Sequence, residues 1–462
     1  MNKKFIPFVL LCIVISIIPS VGMIFFPTTT TTENTTLAEA PKIVTADGSF
    51  NKLFFQDCGE YFNDHIALRN QMIFADAKIQ TTLFRESNIS SVIYGKNDWL
   101  YYASTLDDYS GRNKMSDREL FNLAYNLSIV QNYLSEQDIN FVFTVPANKN
   151  TLYGENMPYY YIASDVKEHN AKRLEGYLKE QNINYISMFD LFESQNEVLY
   201  QLRDSHWNMK GACLAYNSIM DFFNIAHTDY SNVKPVIKKI DNGDLNKMLY
   251  SFYGKLENDY IYSIPENYSF SKPDASVEDG WLTTKNKDGN GSLLMFRDSF
   301  ADTLIPFMSS EFKTAYYSKA QPNALERYIE ADKPDYVVIE KVERNITDYL
   351  YNPPITTPAL AELPKNILIK DTNTSVSVKN CGYDANYFTI SGEVDKVAIS
   401  EKSEIYLCIN DSTYRAYHTG ENGFIAYFKK SDLKGKNIEI RVYTVTDDKC
   451  IQASFDIVKL PK

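Results

Sequence analysis

The chain has 462 residues, room for two or three domains and a large buried core. Apolar residues make up 44% and charged ones 23%, ordinary globular values that exclude wholesale disorder and fibrous repeats. A formal charge of −12, from 47 Lys and Arg against 59 Asp and Glu, repels phosphate backbones and argues against a nucleic-acid partner. The 34 tyrosines suit contact with sugars or peptides, and equally suit half-buried packing in sheets.

The N-terminus carries Lys3 and Lys4, then an apolar run from Phe5 to Phe26. At about 1.5 Å per residue, such a run in helical form would cross a hydrocarbon core of about 30 Å. It is longer than the usual secretory h-region of about 7–15 residues. No small-x-small cleavage site adjoins it; the candidate around Ala38 and Ala40 is followed by Pro41. Residues 1–26 therefore read as a signal anchor or transmembrane segment with the lysines inside, a cleaved signal peptide being the alternative. Both place the bulk of the chain outside the cytoplasm. Residues 27–45, rich in Thr, Glu, Asn, Ala and Pro, read as a flexible linker.

Residues 46–350 alternate strand and helix signals. Phe141 to Val145, Ile183 to Met188, Ser292 to Phe296 and Asp335 to Ile339 read as strands. Residues 162–181, Asn208 to Phe223 and Phe300 to Glu311 read as helices. Apolar strands without alternation predict a mostly parallel sheet in a three-layer α/β/α domain. The polar, tyrosine-bearing stretch 228–290 interrupts this rhythm as an insertion, a lid or substrate wall on one reading and a decorated loop on the other. Residues 351–359 form a Pro-rich linker. Residues 360–462 show period-two alternation, as in Ile438 to Val442, and predict an all-β sandwich.

The six cysteines are widely spaced with no CxxC pair, which fits neither a zinc site nor a disulfide scaffold, although one bridge among Cys381, Cys408 and Cys450 is allowed. No metal or cofactor is expected.

Only five histidines exist, and His206 stands apart because Asp204 lies two residues before it on a loop leading into a helix. There a carboxylate can fix one imidazole tautomer and leave the other nitrogen as a base. The structural alternative is that Asp204 or Asn208 caps the helix while His206 and Trp207 pack beneath it. Ser299 lies where a strand turns into a helix, so that its own N–H and the next face a developing oxyanion. Here the alternative is a plain N-cap completed by Asp302. Taken together, Asp204 as orienting acid, His206 as base and Ser299 as nucleophile form a complete acyl-transfer set at the carboxyl edge of an α/β sheet.

Asp204-Ser205-His206-Trp207, the Arg297-Asp298-Ser299 elbow, and the stretch from Val145 through Asn148 and Lys149 to Tyr153 resemble the AlgX/AlgJ alginate O-acetyltransferase proteins and the related DHHW family. Further likenesses lie in Tyr61 to Arg69, Gly95 to Tyr101, and Pro334 to Glu340 with Arg344. The resemblance implies an SGNH-hydrolase-like fold and the roles above for Asp204, His206 and Ser299. It implies an extracytoplasmic enzyme that places acetyl groups on an exported polysaccharide acceptor. A membrane-bound O-acyltransferase partner would supply the acetyl groups. Arg297 stands where the SGNH motif has glycine, so a narrowed or recharged pocket is expected, with non-catalytic sugar binding as one alternative function. An acetyl esterase with the same triad is the other. Asn148 and Lys149 are the nearest candidates for the second oxyanion donor; Tyr153 and Trp207 are candidate substrate contacts.

Overall fold

A computed structural model describes residues 5–30, 36–45, 47–161, 169–240, 243–251, 254–370, 372–447 and 449–461. Lys3, Lys4, the start of the expected 162–181 helix and Tyr253 in the insertion lie outside these residues.

The centre of the first domain is a seven-stranded sheet, ordered Tyr185–Ile186, Asn140–Thr144, Tyr336–Glu340, Ser292–Phe296, Thr314–Ser318, Trp281–Asn286, Tyr268–Phe270. The first five strands are parallel, and at one edge Trp281–Asn286 runs antiparallel to both its neighbours. The middle strands are apolar along both faces, and a separate hydrophobic cluster packs on each side. The last two strands come from within 228–290, so that stretch is only partly an insertion. Its remainder is a hairpin, Val236–Ile240 with Glu257–Ile261, and a short helix, Asp244–Tyr250.

Several elements are shorter than their sequence signals. The strand expected over 183–188 is Tyr185–Ile186, because Ser187 caps a new helix by accepting from the Asp190 N–H. The described part of the 162–181 helix is Asn170–Glu180. The helix after Ser299 begins as the 3-10 turn Phe300–Thr303 and becomes α-helical only at Ile305–Glu311, where Pro306 supplies the first turn.

The expected membrane-crossing segment finds no support among the described residues. The apolar run forms the helix Ile6–Gly22 of 17 residues, about 26 Å long at the α-helical rise. Gly22 is followed by a turn, and no helix among the described residues is long and apolar enough to cross a membrane.

Beyond residue 366 lie two largely antiparallel sheets of five and four strands. Ile405, Leu407, Ile440 and Val442 from one meet Ile390, Phe424, Ala426 and Phe428 from the other in a shared core, a β-sandwich. The Pro-rich linker is docked against the protein: Ile355 is buried, and Thr357 donates to Glu326 through its N–H and hydroxyl. All six cysteines are free, so the C-terminal trio forms no bridge; Cys381, Cys408 and Cys450 are buried among apolar neighbours.

Candidate active site

Ser299 follows the strand Ser292–Phe296 at its carboxyl end. The elbow is shaped by Asp298. Its Oδ1 accepts from the Phe300 N–H (3.0 Å), its Oδ2 from the Val342 N–H (2.9 Å), and its own N–H donates to Glu340 Oε2 (2.9 Å). Glu340, buried beside it, is held well above the ordinary carboxyl range by burial and then by the Asp298 charge. Ser299 makes no side-chain cap bond; its Oγ lies 2.8 Å from His206 Nε2. The plain N-cap reading of Ser299 therefore fails. So does one of the two N–H groups expected to face an oxyanion, because Asp298 already holds that of Phe300.

The helix Met209–Phe222 is capped by Asn208, which accepts from the N–H groups of Lys210 (3.0 Å) and Gly211 (3.1 Å). Asp204 is thereby free for His206: its Oδ1 lies 2.6 Å from His206 Nδ1 and also accepts the His206 N–H at 2.9 Å. Since Nδ1–H donates to this carboxylate, Nε2 is left to accept the Ser299 hydroxyl, a tautomer assigned from the network. Burial opposes the charged form of His206, but the charge and hydrogen bond of Asp204, with the charge of Asp244, outweigh it and hold the imidazole above its ordinary pKa. Asp204 itself is held below the usual carboxylate range: burial works against this, and the His206 charge and the hydrogen bonds it accepts overcome it.

The 201–206 loop is gripped on both polarities. Lys149, fully inside the protein, donates through Nζ to the carbonyls of Gln201 (3.1 Å), Leu202 (3.1 Å) and Asp204 (2.6 Å). Burial lowers its pKa to about 8. The loop's N–H groups go to carboxylates from the 228–290 stretch. Glu257 accepts from Leu202 (2.7 Å) and Arg203 (3.1 Å), and Asp244 Oδ1 accepts from Ser205 (2.8 Å). Asp259 accepts from Gln201 Nε2 (2.9 Å) and the Met209 N–H (3.1 Å).

Asp204, His206 and Ser299 are thus brought together, and the remaining sequence candidates are largely reassigned. Lys149 braces the loop and does not face an oxyanion. Asn148 is wholly buried, with its amide donating to Asp108 Oδ2 (3.1 Å) and its N–H to Glu343 Oε2 (2.7 Å). Tyr153 packs against Trp99 and Tyr200 and accepts the Leu199 N–H at its hydroxyl (2.9 Å). Trp207 packs beneath the loop, as the structural alternative had it, yet also lines the cleft, with Nε1 donating to Thr303 Oγ1 (2.7 Å). Arg297 does not recharge the pocket. Its guanidinium is buried, paired with Asp302, and donates to the carbonyls of Val277 and Asp279 (both 2.8 Å).

A cleft of about 560 Å³ opens over His206 and Ser299. Ile240, Asp244, Lys247, Met248, Ile261 and Tyr262 form one wall, so the 228–290 stretch is a substrate wall by position. Asp204, His206 and Asp244 each place one donor atom within 4.8 Å of the others. The 2.6 Å between Asp204 and His206 is nonetheless a hydrogen bond. Two donors at about 2.0 Å on a tetrahedral ion would lie about 3.3 Å apart.

Comparison with known families adds a second line of evidence: residues 92–275 match the family described as SGNH hydrolase-like domain, acetyltransferase AlgX. That stretch is similar to the AlgX-type SGNH-like domain. The matched AlgX-type stretch includes Asp204, His206 and Asp244, while Ser299 lies beyond its end. No curated protein matches the sequence. Among solved structures, Bacillus cereus PatB1 with a sulfonyl adduct aligns at 15% identity and a TM-score of 0.43, over 56% of this chain and 96% of its own. The O-acetyltransferase domain of Pseudomonas putida AlgJ aligns at 16% and 0.38, over 55% and 92%. Pseudomonas aeruginosa AlgX aligns at 10% and 0.35, over 79% and 94%.

Proposed function

We propose that the protein is an O-acetyltransferase acting outside the cytoplasm, which moves acetyl groups onto hydroxyls of an exported polysaccharide through an acetyl-enzyme on Ser299. The observation that carries this reading is the unbroken chain Asp204–His206–Ser299, with bonds of 2.6 and 2.8 Å, opening on a cleft. His206 Nε2 takes the Ser299 proton as Oγ attacks the acetyl carbonyl; the imidazolium is stabilised by Asp204 and returns the proton to the departing alkoxide. A sugar hydroxyl then gives its proton to Nε2 and attacks the acetyl carbon; as the bond to Oγ breaks, Nε2 returns that proton to Ser299. The N–H of Ser299 itself is the elbow donor assigned to the oxyanion. Acetyl groups are supplied from a membrane-bound O-acyltransferase.

Ser299→Ala is expected to abolish acetyl-enzyme formation and to lower turnover of an acetyl ester donor at least ~10³-fold. The measurement is mass spectrometry of the trapped intermediate, with product analysis in the presence of an oligosaccharide acceptor. Acetyl found only as free acetate would favour esterase action, and unchanged turnover in the variant would remove the mechanism.

A further inference from the structure

The feature of the site with no sequence signal is Asp244, forty residues from Asp204 and on a different element. Its Oδ2 accepts from the Ser205 hydroxyl (2.5 Å) and lies 3.9 Å from His206 Nδ1. Its Oδ1 accepts from the N–H groups of Ser205 (2.8 Å) and Leu245 (2.6 Å). Its own N–H donates to Asp204 Oδ2 at 2.9 Å. Two of the three partners of this carboxyl group are backbone N–H groups, which can only donate, so Oδ1 is held as an acceptor, while burial and then the Asp204 charge raise the group's pKa above the ordinary carboxyl value. One backbone N–H thus fixes the far oxygen of the orienting acid, while the side chain fixes the residue between acid and base.

We propose that Asp244 is a positioning residue of the relay, a second carboxylate that aims Asp204 and adds negative charge beside the imidazole. This rests on the Ser299–His206–Asp204 reading and extends it: the 228–290 stretch not only walls the cleft but completes the machinery. In a two-carboxylate arrangement the imidazolium formed during acyl transfer faces Asp204 from its own loop and Asp244 from the helix Asp244–Tyr250. Arg344, following the strand Tyr336–Glu340, opposes them with a positive charge. Lys149, behind the loop, faces both carboxylates. Removing one negative charge makes the imidazolium harder to form.

The test is the pH profile of kcat/KM for 4-nitrophenyl acetate with the full chain, comparing wild type, Asp244→Asn and Asp244→Ser. Both variants are expected to move the acidic limb to lower pH by about half to one unit, as loss of one nearby charge dictates. They are expected to lower the plateau by roughly three- to tenfold, as a misaimed base does. The His206 titration followed by imidazole NMR should move in the same direction in the free protein. An unchanged limb and plateau, with an unchanged NMR titration, would overturn the proposal. Ser299→Ala, run alongside, separates the two readings. If it is inactive while both Asp244 variants match wild type, the relay stands and Asp244 is merely structural. If it is active, the relay reading falls, and the NMR shift alone then decides whether Asp244 is coupled to His206.

Discussion

Lys149 shows what a single residue contributes when its charge is spent entirely on backbone. Its ammonium holds three carbonyls of the loop that presents Asp204 and His206, and aromatic faces of Trp99 and Tyr101 lie within cation–π range. Lys149→Met keeps the volume and deletes the donor to the Gln201 and Asp204 carbonyls, while that of Leu202 keeps the Leu100 N–H; a buried carbonyl left unpaired costs about 1–3 kcal/mol. Relief of the buried charge offsets part of this, so a net loss of about 2 kcal/mol is expected in denaturant unfolding, with a fall in kcat/KM. A variant as stable and as active as wild type would show that the loop stands without it. At this scale the sequence was informative where the chemistry is local. Asp204 and His206 lie two apart, and Ser299 marks a strand-to-helix elbow, so the roles proposed for them are legible from residue type and spacing. The oxyanion candidates were not, because they depend on strand order. Asn148 follows a strand that pairs with Tyr336–Glu340, one position removed from the strand bearing Ser299. Lys149 and Arg297 are long cations that could have faced a substrate; only packing shows that their charges point to carbonyls and to Asp302.

Among elements, the short helix Asp244–Tyr250 matters out of proportion to its length, and its approach to the 201–206 loop is set by Gly243. A Cβ at Gly243 would sit 2.4 Å from the Arg203 carbonyl oxygen and 2.9 Å from its carbon, both backbone atoms that cannot swing aside. Asn246 N–H donates to the same Arg203 carbonyl at 3.0 Å, which draws the two segments together. Gly243→Ala must therefore push the helix off the loop and lengthen the Asp244 N–H to Asp204 contact. The expected result is an overpacking cost of about 1–3 kcal/mol in thermal or denaturant unfolding, and a loss of kcat/KM in the same direction as Asp244→Asn. Full activity in this variant would mean that the helix does not control the relay. Four of the seven strands of the sheet were legible because continuous apolar runs are diagnostic; Thr314–Ser318, Trp281–Asn286 and Tyr268–Phe270 carry no such run. The 228–290 stretch was not, because its carboxylates, Asp244, Glu257 and Asp259, read in sequence as solvated polar residues. Most of their partners are backbone N–H groups, which leave no trace in residue type.

On the scale of the whole molecule, the α/β domain and the sandwich are one packed body. A single hydrophobic cluster includes Phe121, Tyr125 and Leu325 from the first and Tyr387, Tyr417 and Tyr427 from the second. The long helix Asp117–Ser135 carries the polar part of the contact. Arg118 donates to the carbonyls of Glu401 and Glu421 (both 3.1 Å), and Asn126 donates to that of His418 (2.8 Å) and accepts its N–H (2.8 Å). His418 sits at the centre, fully buried and stacked on Tyr125 at 4.4 Å between ring centroids. Its Nε2 accepts the Ile405 N–H (3.0 Å), so Nδ1–H donates to Asn122 Oδ1 (2.7 Å). Both ring nitrogens are thus committed in the neutral form. Burial, and then the Arg118 charge, hold the His418 pKa well below its ordinary value of 6.5. A depressed pKa contributes stability that is complete above the unfolded value and is lost as pH falls below it, because the unfolded chain takes up a proton that the folded one refuses. Unfolding free energy should therefore drop as pH is lowered from 6.5, with this one group adding a slope of up to about 1.4 kcal/mol per pH unit. His418→Gln removes the titration while keeping an amide that can donate and accept, and its stability should vary less with pH over the same interval. Parallel pH dependences in the two proteins, measured by denaturant unfolding from pH 7 downward, would show that His418 is not what ties acid sensitivity to the union of the two domains.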